Sequence, residues 1–123
     1  MGPGSEAEPN FRVTTTRGPA ETLTLTVRGE LDIVNAPGLG EALDDAINAP
    51  AGDLELDLRE CSFVDSRGLQ VIIEGGRSLA ERGRSLTLKN PQKHVRRLFL
   101  TAGIDRIAGL QLEDDAPEPP PSS

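Results

Sequence analysis

The strongest constraint on the fold is a change of hydrophobic period between residues 54 and 80. Leu54, Leu56 and Leu58 alternate with Glu55 and Asp57, which is the pattern of a half-buried strand. After Phe63 and Val64 come Asp65, Ser66, Arg67 and Gly68, and from Leu69 the apolar residues Ile72, Ile73, Leu79 and Ala80 recur at helical spacing. Asp and Ser are favoured N-cap residues, so the spacing predicts a strand that delivers a hydroxyl to the mouth of a helix running to about Arg82, with Gly83 as its left-handed stop. The first N–H groups of a helix lack intrahelical partners, and an anion placed there gains about 0.3–1 kcal/mol. Two readings of Ser66 follow. Asp65 and Ser66 only cap the helix, or Ser66 is a regulatory hydroxyl whose phosphorylation the fold tolerates.

The rest of the chain repeats the alternation. Residues 11–16 and 22–28 read as strands joined through Gly18 and Pro19, an antiparallel hairpin. Gly29, Glu30, Leu31 and Asp32 follow at the strand end, and Asn35 is placed to cap a helix with Pro37 in its first turn. Leu39, Ala42, Leu43, Ala46 and Ile47 form its inward stripe, and residues 49–52 stop it. Gly75 and Gly76, inside the later helix, imply close packing on a sheet. Residues 85–89 are a further strand, Pro91 opens a helix with Val95, Leu98, Phe99 and Ala102 inward, and Ile104, Ile107 and Leu110 suggest a last short strand. Strands alternating with long helices require right-handed crossovers. The expected fold is α/β: one domain, a mostly parallel central sheet of four to five strands with an antiparallel edge strand, packed with three to four helices. Functional loops of such sheets gather beyond the carboxyl ends of the strands, which places Asp32, Asp65 and Ser66 on one edge.

Residues 1–10 and 113–123, rich in Pro, Gly, Ser and acid, cannot bury enough apolar surface to offset ordering entropy and are expected to be disordered, leaving 11–112 as the domain. Twenty acidic and thirteen basic residues give a net charge of −7, which disfavours direct binding to nucleic acid or an anionic membrane and favours a partner with a basic face. No apolar run approaches the roughly 20 residues that span a bilayer. The single cysteine, Cys61, excludes an internal disulfide and fits a reducing cytoplasm; its apolar neighbours suggest a buried, inert thiol. Ser66, Asp65 and His94 include the residue types of a hydrolase triad, but no G-x-S-x-G elbow surrounds Ser66, and an enzyme is not expected. Arg96 and Arg97 read as a solvated helix face, and neither a metal nor another cofactor is expected.

Three segments, Gly29–Asp32 (GELD), Asp65–Leu69 (DSRGL) and His94–Ile104 (HVRRLFLTAGI), resemble the STAS domains of bacterial anti-sigma factor antagonists in order and spacing. The resemblance implies a cytoplasmic regulator of transcription in the stress response, working by partner switching. Its partner would be an anti-sigma factor with serine kinase activity, which phosphorylates Ser66. Asp32, Asp65, Ser66, Arg67, Gly68 and Leu69 would form the docking surface, and a weak homodimer is compatible with it. The resemblance also admits a non-phosphorylated STAS scaffold of a signalling or lipid-transport complex. Arg67 stands where the family usually has Ser or Thr, and Gln70 where Gly is common. A guanidinium there can pair with a phosphate on Ser66 or change which kinase accepts the site.

Overall fold

A computed structural model describes residues 11–113; the segments 1–10 and 114–123, expected to be disordered, lie outside the described residues. The elements are β1 (Arg12–Arg17), β2 (Leu23–Leu31), α1 (Ala36–Asn48), β3 (Leu54–Val64), α2 (Ser66–Ala80), β4 (Leu86–Lys89), α3 (Lys93–Thr101) and β5 (Leu110–Glu113), with short 3-10 turns at Pro19–Glu21 and Ile104–Arg106. The strands form one sheet in the order β1-β2-β3-β4-β5, in which only β1 with β2 is antiparallel. This is the expected architecture. β5 runs one residue past the expected domain limit, through Glu113, whose carboxylate meets the Lys89 ammonium at 3.3 Å.

Every parallel step moves the same way across the sheet, so right-handed crossovers place all three helices on one face. Leu25, Val27, Leu54, Leu56, Leu58, Leu86 and Leu88 on that face are buried, together with Leu39, Leu43, Ile72, Leu79 and Phe99 from the helices, in one core that is mostly aliphatic. The opposite sheet face carries Thr24, Thr26, Glu55, Asp57 and Thr87, all half-buried, with the Thr24 hydroxyl donating to Glu55 at 3.2 Å. One face packs and the other meets water, hence the alternation in each strand.

β3 is two residues longer than β2 over their paired upper halves. Thr26 pairs with Asp57 but Leu31 with Val64, with register shifts after Thr26 and after Gly29. Gly29 takes φ +104°, a left-handed value that a side chain resists. The two bulges break the alternation in β3, so that Cys61 and Val64 stay buried while Ser62 and Phe63 turn outward.

The helices correct three local expectations. α2 ends at Ala80, before Arg82, with Gly83 at φ +70° beyond it. Ala102 is exposed after α3 has ended. Of the two α2 glycines, only Gly76 packs on the sheet, where a Cβ would lie 2.5 Å from Leu110; Gly75 instead faces α1, where a Cβ would lie 3.1 Å from Leu43 Cδ1. Gly40 in α1 is different, because its nearest neighbour to an added Cβ, Val71 Cγ1, is 3.9 Å away.

A helical glycine costs about 1 kcal/mol against alanine. Gly40→Ala should therefore raise stability by about 0.5–1 kcal/mol, and Gly76→Ala should lower it, because Leu110 must move; thermal melts followed by circular dichroism read both.

Candidate functional site

Leu31 and Val64 end β2 and β3 as paired neighbours, and the Asp65 N–H donates to the Leu31 carbonyl at 3.1 Å. The next residue on each strand, Asp32 and Asp65, is therefore on the same sheet edge, as the sequence implies. Each carboxylate does the same local work. Asp32 Oδ1 accepts from the N–H groups of Val34 (3.1 Å) and Asn35 (3.0 Å), and Asp65 Oδ1 accepts from those of Arg67 (3.0 Å) and Gly68 (3.1 Å). A short acidic side chain bonding its own backbone two and three residues on fixes a tight turn into a helix.

Two capping expectations change as a result. Asp65 is the N-cap of α2, and Ser66, the first helical residue, is exposed and leaves the capping to Asp65. Asn35 stands at the N-cap position of α1 without a side-chain cap bond; its buried amide group donates to the Glu30 carbonyl at 2.8 Å and ties the loop back to β2. Gly68 is buried where a Cβ would lie 2.7 Å from both Leu31 Cγ and the Leu31 carbonyl oxygen. Close approach of α2 to the end of β2 demands glycine. Leu69 is half-buried, while Arg67 is exposed.

Around Ser66 the same edge exposes apolar residues that the sequence reading passed over. Ile33 and Val34, in the loop Asp32 shapes, are 62% and 69% exposed, and Phe63 is 45% exposed. The signal was present in the apolar pair directly after GELD, but the register that turns Phe63 outward depends on the bulges in β3.

The residue types of a triad do not assemble. The Asp65 carboxylate is engaged with backbone amides, and His94 Nε2 donates to the Ser62 carbonyl at 2.6 Å, pinning α3 to β3. Cys61 is buried, its thiol donates to the Phe63 carbonyl at 3.4 Å, and burial pushes its pKa up. Among the described residues no group of three or more His, Cys, Asp or Glu could hold a metal, and no helix is long and apolar enough to cross a membrane.

The family model described as "Mlab, STAS domain" matches residues 14–112. The chain belongs to the STAS-domain family. This STAS domain is 30% identical over 93 residues to the anti-sigma-B factor antagonist of Bacillus subtilis, covering 76% of this chain and 84% of the relative. Among solved structures, an anti-sigma factor antagonist from Mycobacterium paratuberculosis superposes with a TM-score of 0.69 at 24% identity, over 85% of this chain and 88% of that one. The Bacillus cell fate determinant SpoIIAA in its phosphorylated form superposes with a TM-score of 0.67 at 21% identity, over 85% and 92% of the two chains. The family is the one the chain's motifs resemble, and the fold is the one these structures share, in agreement with both expectations.

The capping geometry separates two adjacent side chains. Asp65→Ala should cost about 1 kcal/mol in urea unfolding, while Ser66→Ala, which removes no cap, should change stability by less than about 0.5 kcal/mol. The Cys61 thiol should react with a disulfide reagent at neutral pH far more slowly in the native protein than in guanidinium, since only the exposed thiolate is the nucleophile.

Proposed function

We propose that this STAS domain is an anti-sigma factor antagonist that docks through the edge carrying Asp32, Ser66 and α2 on an anti-sigma factor with serine kinase activity, so that the sigma factor is released. Phosphorylation of Ser66 switches it off. The observation that carries this reading is the exposure of Ser66 at the first position of a helix whose cap is supplied independently by Asp65, beside the exposed Ile33, Val34 and Phe63. The names of the relatives and the existence of a phosphorylated SpoIIAA structure support it. Asp32 and Asp65 shape the two loops, and Ser66 and Arg67 present the groups a partner meets; Gly68 and Leu69 act from beneath by packing.

A phosphate on Ser66 adds about −1.5 to −2 charges to an edge that already holds two carboxylates. The α2 N-terminus accepts that charge, so the helix stays folded. What changes is the interface. Apolar residues that a partner would desolvate are then flanked by a group whose desolvation is costly, and release follows from electrostatics without refolding. Ser66 and Arg67 are successive helical residues, positions that do not face one another, and Arg67 is exposed, so its guanidinium is available to a partner.

The test is binding of the cognate kinase to full-length Ser66→Ala and Ser66→Asp proteins. The alanine protein should bind as wild type does and resist phosphorylation; the aspartate protein should bind at least about tenfold more weakly. Equal binding by both, with no phosphate on the wild-type intact mass, would replace the switch with a constitutive STAS scaffold.

A further inference from the structure

α1 and α2 are both crossover helices on the same sheet face, so they run parallel with their N-termini at the docking edge. Between them lies a groove of about 260 Å³. Its floor is apolar, formed by the buried Leu43 and Ile47 with the half-buried Val71, and its rim carries the exposed carboxylates of Asp44 and Glu74. Glu74 accepts a hydrogen bond from Gln70 at 3.3 Å, whereas Asp44 has no hydrogen bond or ion pair among the described residues. α1 supplies Glu41, Asp44 and Asp45 and no Lys or Arg. The groove begins at Gly40 and Val71, the fifth and sixth residues of their helices, which is about 6–8 Å along the axes from the edge that bears Ser66.

Gly40 supplies an independent clue. Nothing crowds its missing Cβ, so packing does not require glycine in the middle of α1. A longer side chain at this position would stand in the groove. The residue that weakens the helix is the one that keeps the groove open.

We infer that the groove between α1 and α2 receives an arginine or lysine side chain from the anti-sigma factor, as a second contact outside the phosphorylated edge. This rests on the docking proposed above. The chemistry fits a long cationic side chain in both its parts: the methylene stem lies on Leu43, Ile47 and Val71 while the charged head meets Asp44 and Glu74. The net charge of −7 steers a basic partner towards the chain, and the groove gives that attraction a defined seat. Because the seat lies more than a helical turn from Ser66, a phosphate there leaves it intact, and the phosphorylated protein keeps a residual affinity through it.

The test uses full-length protein in the Ser66→Ala background, titrated with the purified kinase that this bait retains. Asp44→Lys, Glu74→Lys and Gly40→Leu are compared with Asp105→Lys, an exposed acidic residue of the 3-10 turn before β5. The expected result is that each groove variant raises Kd by about tenfold and lessens its salt dependence, while Asp105→Lys stays within about twofold and all four melt cooperatively. Groove variants that bind like their parent, while Ser66→Asp releases the kinase, would overturn the second contact and leave the switch standing. Failure of the Ser66→Ala protein to bind any kinase would remove both. A wild-type dimer that Gly40→Leu dissociates without affecting the kinase would assign the groove to a second copy of the chain and overturn the inference.

Discussion

The parallel pairing of β2 with β3, closed by the Asp65 N–H bond to the Leu31 carbonyl, is the contact on which the rest of the structure depends. It joins segments about thirty residues apart and ends both strands at one level, so the loops that follow them are neighbours. Each loop then turns into its helix by the same device, a carboxylate oxygen shared by two backbone amides. Gly68 lets α2 settle directly on Leu31, which makes the end of β2 part of the seat of the next helix. Ser66 follows as the first residue of α2, exposed, with the cap already supplied by Asp65.

This arrangement separates support from display. Asp32, Asp65, Asn35 and Gly68 hold the edge in shape through backbone bonds and close packing. Ile33, Val34, Phe63, Ser66 and Arg67 are exposed upon it. A modification at Ser66 can change what the edge offers without loosening what supports it. One oxygen of each of Asp32 and Asp65 already receives two N–H dipoles, so part of its charge is taken up in holding the loop.

Much of the fold was legible because hydrophobic period is read directly from residues. Leu54, Leu56 and Leu58, then Ile72 and Leu79, lie in the core where the change of period puts them. The hairpin, the order of strands and helices, and the shared edge for Asp32 and Asp65 follow from topology rules acting on that pattern. What stayed hidden depends on contacts between distant segments. The bulges in β3 arise from how it pairs with β2, so the exposure of Phe63 is absent from local alternation. Which of Asp65 and Ser66 caps the helix is a question of one residue's register, and both types suit the position. The partner of Gly75, which is Leu43 on α1, depends on how two helices cross.

The antiparallel hairpin at one side of the sheet and the parallel β5 at the other have a consequence for anything attached to the chain. β1 begins beside the upper part of β2, with Arg12 opposite Arg28, and β5 ends in the same direction as the other parallel strands. Both ends of the described segment, residues 11 and 113, therefore leave from the side of the molecule that bears Ser66, separated by the width of the sheet. An affinity tag, fluorescent protein or neighbouring domain joined at either end of that segment starts out flanking the edge that bears Ser66, and a short linker would hold it there. The opposite side, where α1 and α2 terminate, is the unobstructed place for an immobilisation point.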